Sequence, residues 1–340
     1  MKRILLLATG GTIATKQTEH GLVPQLTSQE LLDCIPEIAD LCRVDTLQLF
    51  NLDSTNLQPG HWIAIAEAIR AQYSQYDGFV ISHGTDTMAY TASALTYLIQ
   101  GASKPIVLTG AQQSIGNRET DARRNLYNAF LYACADCAWG VTIVFDGQVI
   151  LGTRARKMRS KSYNAFASIG FPEIALIRDG KVYPLLQKPR FPESPKYCLT
   201  MNPNVFVLKL IPGIRPDIFR LLKDSYDAVI LEGFGVGGVP YYANEDFAQA
   251  VGDWVRSGKI LIMTTQVTYE GSDMSVYEVG HHIKSKYGVI EAYDMTFEAT
   301  ITKLMWLLGL NLNDYDRIRS KFHTRINHDT LFAERAKAEW

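Results

Sequence analysis

Four apolar runs, each stopping at small or polar residues, constrain this chain more than any other feature. They are Arg3–Ala8, Asp45–Phe50, Phe79–Ile81 and Pro105–Thr109. These runs are mostly continuous rather than alternating, the pattern of strands covered on both faces of a parallel sheet. Helical patterns alternate with them. One opens at Pro59 with Trp62, Ile65, Ile69 and Tyr73 on one face; others cover Ala89–Leu98 and Asp121–Ala135. Strand and helix in alternation predict an α/β fold, a parallel sheet with helices on both faces. In such a sheet ligands bind outside the carboxyl ends of the strands.

Those strand ends hold the chemistry. The stretch Gly78–Met88, GFVISHGTDTM, places Thr85, Asp86 and Thr87 in the turn after a buried strand. One such residue would cap the following helix, but three in a row exceed that need. The first strand runs into Thr9-Gly10-Gly11-Thr12, where glycines permit a sharp turn and close approach of a ligand. Neither the G-x-G-x-x-G spacing of a dinucleotide site nor the G-K-[ST] of a phosphate loop is present. Asn51–Asn56 adds Asp53, Ser54 and Thr55 at a third strand end, and Gly110-Ala111-Gln112 closes a fourth. Repetition on one edge weakens capping as a sufficient account. The polar segment 16–25, with Gly21 and Pro24, reads as a non-helical loop and candidate lid. Asp146-Gly147 between apolar runs predicts a hairpin.

The 340 residues suffice for two domains, and 47% hydrophobic content provides a sizeable core. The stretch 184–203, with prolines at 184, 189, 192, 195 and 203, reads as a linker. It separates a larger domain, 1–183, from a smaller α/β domain, 204–340, in which strand and helix patterns restart. Gly233–Pro240 is a glycine-rich strand end without a following Lys-Ser/Thr, which favours close backbone packing over phosphate binding. Thr153–Lys161 is a basic run, and Arg317, Arg319, Lys321 and Arg325 form another; most of these read as solvated charges. His281-His282 has no matching acidic or cysteine cluster and reads as a surface pair.

Lys plus Arg total 34 against 35 Asp plus Glu, so nothing in the charge balance points to nucleic acid or an anionic membrane. Five sparse cysteines do not form a disulfide framework, and Cys134-Ala-Asp-Cys137 lacks the second pair a zinc site requires. The apolar run in MKRILLLATGG is shorter than a signal peptide's core and reads as the first strand. A soluble, cytoplasmic protein is expected.

Thr12, Ser54, Thr55, Thr85, Asp86 and Lys157 are the candidate reactive groups. A hydrolase built from them would use a threonine hydroxyl, activated by a lysine that a carboxylate orients. LATGGTIA (7–14) and GFVISHGTDTM (78–88) resemble the two signature stretches of the bacterial-type L-asparaginases, most closely the short cytoplasmic type I branch. The resemblance extends through DSTN (53–56), GTRARKMRSKSYNAF (152–166), GFGVGGVP (233–240) and DMTFEATITKLMW (294–306). It implies a Rossmann-like N-terminal domain, a smaller C-terminal α/β domain, and dimers often paired into tetramers. It also implies hydrolysis of L-asparagine to L-aspartate and ammonia without a cofactor.

Carried over by position, the resemblance makes Thr12 the primary nucleophile, and Thr85, Asp86 and Lys157 a second triad. Asp53, Ser54 and Thr55 would hold the substrate's α-carboxylate and amino group, with Asp86 also on the amino group. Main-chain N–H groups near Gly11 and Thr85 would steady the oxyanion, and the backbone carbonyl at Ala111 would face the substrate. Glu278 is the best match to an acidic residue supplied by the neighbouring subunit; a helix-start carboxylate is the alternative. Leu22 stands where many relatives carry a lid tyrosine. Leucine cannot polarise Thr12, so Lys16, His20 or a water takes that place, or the tyrosine is dispensable. A dual glutaminase-asparaginase, an amidotransferase subunit and a catalytically silent amino-acid sensor are the competing readings. A Rossmann oxidoreductase is disfavoured by the missing glycine fingerprint.

Overall fold

The structure, a computed structural model, describes residues 1–18, 21–24, 26–240, 246–312 and 314–332, with side chains undescribed at 15–18, 21–24 and 246. Two compact units divide the chain, 1–199 and 200–340.

The first unit is built on one eight-stranded sheet. Its strands are β1 (Arg3–Gly10), β2 (Arg43–Leu52), β3 (Gly78–Ser82), β4 (Ile106–Thr109), β5 (Val141–Phe145), β6 (Gln148–Leu151), β7 (Ala175–Arg178) and β8 (Lys181–Pro184). Their order across the sheet is β8-β7-β6-β5-β4-β3-β1-β2. The pairs from β2 through β1, β3 and β4 to β5 are parallel. From β5 to β8 they are antiparallel. The change of direction comes at the expected hairpin, where Asp146 (φ 48°) and Gly147 (φ 76°) take the left-handed conformations of a tight turn.

Residues of β3, β4 and β5 are buried throughout, which is why their sequences are dominated by apolar residues. Edge strand β2 alternates between half-buried and exposed positions. It extends past Asp45–Phe50 because polar Arg43 and Asn51 at its ends pair with β1 or face solvent without apolar cover. Helices α1 (Pro59–Gln72), α2 (Met88–Leu98) and α3 (Ala122–Ala133) follow β2, β3 and β4. Leu126, Ala129 and Phe130 of α3 join Ile4, Leu6, Val80 and Val107 in one core cluster. Each of the larger side chains among them, fully buried, contributes about 1.5–3 kcal/mol.

In sheet order the chain runs 2-1-3-4-5 from β2 to β5, so its direction of travel reverses between β1 and β3. That is a topological switch point, and the crevice it opens lies at the carboxyl ends of those strands. Thr15–Thr18 pairs antiparallel with Gly21–Pro24, where the sequence suggested an irregular loop. Within the Pro-rich stretch, Lys196–Tyr197 pairs with Ile99–Gln100.

The second unit carries four parallel strands in the order β9 (Val205–Lys209), β10 (Ala228–Gly233), β11 (Ile260–Thr265) and β12 (Ile290–Glu291). Helices α4 (Asp246–Arg256), α5 (Glu278–Tyr287), α6 (Phe297–Gly309) and α7 (Tyr315–His323) accompany it. Phe247, Val251 and Trp254 of α4 pack on Val229, Leu231 and Met263. The glycine-rich turn folds on itself: Phe234 bridges Gly238, and a Cβ on Gly233 would lie 2.9 Å from the Gly238 carbonyl oxygen. His281 and His282 are exposed. Arg317, Lys321 and Arg325 are exposed and Arg319 half-buried. All five cysteines are free thiols.

Candidate active site

The turns after β1, β2 and β3 meet backbone to backbone. Gly11 (φ 82°) leaves β1 in a left-handed conformation. A Cβ on it would lie 2.2 Å from the Gly84 nitrogen. A Cβ on Gly84 would in turn lie 2.5 Å from the Ser54 hydroxyl. The glycine at position 11 thus makes room for another strand's turn, where the sequence suggested room for a ligand. Thr12, half-buried, follows at once as the first residue of a 3₁₀ turn, Thr12–Ala14. The loop after β4 is tied to the same place, since Ile115 N–H donates to the Ile13 carbonyl at 3.3 Å.

Lys157 reaches this crevice from a short hairpin, Ala155–Lys157 against Phe166–Ser168. Its ammonium donates to Thr85 Oγ1 at 2.8 Å and to Asp86 Oδ1 at 2.6 Å. The Lys157 side chain is 17% exposed and that of Asp86 59%, so the pair sits at the mouth of the crevice. Thr85 is buried. Its hydroxyl donates to Gln112 Oε1 at 3.2 Å, and Gln112 Nε2 donates to the Ser162 carbonyl at 3.1 Å, which fixes the amide's orientation. The basic run around Lys157 is not uniformly solvated. Arg154 is completely buried, its guanidinium 5.5 Å from the centre of the Phe171 ring, a packing role the charge pattern did not reveal.

At the end of β2, Asp53 accepts from the Thr55 N–H and hydroxyl, both at 2.9 Å, and so shapes a 3₁₀ turn. Ser54 is buried under the turn, and its carbonyl accepts from the Thr87 hydroxyl at 2.8 Å. Ala111 is fully buried in the core cluster. The Gly11 N–H already donates to the Leu52 carbonyl at 2.9 Å. Among the described residues the Thr85 N–H has no hydrogen-bond partner.

Two supports escaped the sequence reading. Buried Asp121 accepts from the Gln112 and Gln113 amides and from Asn125 Nδ2, while Asn125 also donates to the Gly110 carbonyl at 3.0 Å. His83 is fully buried, and burial pushes its pKa down to about 4. Asp121 and Asn125 lie within a helical pattern, where a polar residue gives no sign of facing inward. Glu278 is the first residue of α5, in the second unit, and is exposed. Glu19, His20 and the side chains of Lys16 and Leu22 lie outside the described residues. Among the described residues no cluster of His, Cys, Asp and Glu is arranged to hold a metal, and no helix is long and apolar enough to cross a membrane.

The arrangement offers hydroxyls, an amine and a carboxylate in one crevice, the parts needed to attack and release an acyl group. Residues 3–190 match the family model for the asparaginase N-terminal domain, and residues 204–322 match that for the glutaminase/asparaginase C-terminal domain. The chain belongs to the asparaginase family. An L-asparaginase of Thermococcus kodakarensis is 40% identical over 95% of this chain and 98% of its own length. The solved structure of the thermostable L-asparaginase from that organism superposes with a TM-score of 0.89 at 38% identity, covering 97% of this chain and 100% of that one. L-asparaginase I from Vibrio cholerae superposes at 0.87 and 29% identity, over 97% and 99%. A glutamyl-tRNA(Gln) amidotransferase subunit of Pyrococcus furiosus is 36% identical over 90% of this chain and 72% of its own length. As an asparaginase-family member, the chain is an amidohydrolase.

Proposed function

We propose that the protein hydrolyses the side-chain amide of L-asparagine, giving L-aspartate and ammonia, and that it does so as a cytoplasmic homodimer or dimer of dimers. The observation that carries this reading is Lys157 held between Thr85 and Asp86 beside the Gly11–Thr12 turn. Thr12 Oγ attacks the amide carbon, and its proton goes to the departing nitrogen. The C–N bond breaks, ammonia leaves, and an acyl ester remains on Thr12. Water, deprotonated through Thr85 and Lys157, then cleaves the ester. Lysine works as a base only when neutral, and Asp86 holds it in place. Asp53, Ser54 and Thr55 lie at a neighbouring strand end, suited to the α-carboxylate and amino group. The open Thr85 N–H suits the oxyanion; such donors are commonly the largest single contribution in acyl transfer.

Initial-rate ammonia release with L-asparagine and L-glutamine side by side tests this. Strong preference for asparagine is expected. Comparable rates would assign dual specificity, since one methylene is worth only ~1–3 kcal/mol of discrimination. A folded oligomer that binds asparagine and releases no ammonia would be a silent sensor.

A further inference from the structure

His83 ends a relay that crosses three elements and takes no part in the proposed chemistry. Trp62 Nε1 on α1 lies 2.9 Å from Thr91 Oγ1 on α2. Thr91 Oγ1 lies 2.9 Å from His83 Nε2, and His83 Nδ1 lies 2.6 Å from the Gly84 carbonyl oxygen. Each proton has one place to go. A carbonyl only accepts, so Nδ1 carries the hydrogen. Burial keeps the ring neutral, so Nε2 has a lone pair, which accepts from the Thr91 hydroxyl. The Thr91 oxygen accepts in turn from the Trp62 N–H, whose only role is to donate.

The consequence lies one bond further on. The Gly84–Thr85 peptide is trans, so its C=O and N–H point in opposite directions. With the carbonyl held against His83 in the core, the Thr85 N–H is turned outward, where it meets no partner among the described residues. We propose that His83 is a positioning residue: it sets the plane of the Gly84–Thr85 peptide so that the Thr85 N–H faces the carbonyl oxygen of the bound amide. This rests on the amidase reading above. His83 touches neither substrate nor nucleophile; it acts through one peptide plane.

Two variants separate positioning from packing. In His83→Asn the side-chain amide places an N–H near Nδ1, keeping the bond to Gly84 and giving up the one to Thr91. His83→Gln places its amide near Nε2, keeping Thr91 and giving up Gly84. Each deletes one hydrogen bond, so similar Tm values are expected. Removing a single oxyanion donor costs about 10²–10³ in kcat, so H83Q is expected to lose roughly 10² in kcat with KM little changed. H83N is expected to stay within about tenfold of the parent. Equal kcat losses at equal Tm, or wild-type kcat in H83Q, would overturn the proposal.

If either variant does not fold, Thr91→Ala, which leaves the ring without its Nε2 partner, is expected to lower kcat severalfold at unchanged KM; unchanged kcat counts against the proposal. Crystal structures of the folded variants give a readout independent of turnover. The Gly84–Thr85 peptide should rotate in H83Q, which loses the Gly84 bond, and stay in place in H83N; in T91A, where the ring keeps that bond but loses its support at Nε2, it should shift by less than in H83Q. A wild-type protein that hydrolyses no amide would defeat the functional reading, while the peptide's orientation in these variants would still decide the role of His83.

Discussion

Thr85 and Lys157 are joined by a single bond of 2.8 Å, and each depends on the other for proton transfer. Thr85→Ala removes the relay, and Lys157→Met removes the base at nearly constant volume. Each is expected to lower kcat by about 10² or more while leaving Tm near the parent value. Retained turnover in either would sink the triad. The double variant should be scarcely worse than the singles, because residues acting as a unit are not additive. His83 carries a second prediction, on stability. Its folded pKa of about 4 lies below the ordinary 6.5. Between those values the unfolded chain binds a proton that the folded chain refuses, so stability falls as pH drops from 6.5 towards 4. The loss is about 3 kcal/mol at full extent. Urea unfolding at pH 7 and pH 4.5 checks it: the parent should lose markedly more than H83N, which has no ring to titrate. Thr85, Asp86 and Lys157 were legible in the sequence because hydroxyl, carboxylate and amine types stand out beside apolar runs. His83, Thr91 and Trp62 were not, since each is unremarkable locally and the relay exists only once β3, α1 and α2 pack together.

The elements of the first unit converge on a contact between turns, and that contact needs glycine on both sides. Gly84 has an ordinary negative φ, so an added methyl meets no backbone strain there; it meets the Ser54 side chain and the Gly11 Cα, at 2.5 Å and 3.2 Å. Gly84→Ala must therefore separate the turns after β1, β2 and β3. It is expected to cost about 1–3 kcal/mol, as overpacking does, and more than tenfold in kcat, because Thr12 and Thr85 move apart. Thermal unfolding and steady-state kinetics on the same preparation check both; intact kcat would show that the turns tolerate separation. The sequence placed β1 and β3 well because both their faces are buried, so hydrophobicity alone marks them. It placed β2 less well, since an edge strand with one solvated face is marked by alternation, which Arg43 and Asn51 blur. The pairing of Thr15–Thr18 with Gly21–Pro24 escaped altogether, because backbone pairing needs no apolar pattern.

At the scale of the molecule, the second unit presents apolar side chains to solvent along one stretch of sequence: Val267 (49% exposed), Tyr269 (50%), Val276 (55%) and Tyr277 (64%). Glu278 follows directly, exposed at the start of α5. A second copy of the chain that covers these side chains would take Glu278 with it, and the sequence resemblance implies that this carboxylate would serve the partner's site. Subunit mixing tests this. Thr85→Ala and Glu278→Ala homodimers should each be nearly inactive, one for want of the relay and the other for want of the carboxylate. In a mixed dimer the E278A chain keeps Thr85 and borrows Glu278 from the T85A chain, so one of its two sites is whole. Random reassortment of equal amounts makes half the dimers mixed, and activity should recover to roughly a quarter of the parent value. If Glu278 served its own chain, every site in the mixture would lack one group and activity would remain at the parents' sum. An E278A homodimer with full activity would remove the carboxylate from the mechanism and leave α5 with an ordinary helix-start acid, favoured by the dipole.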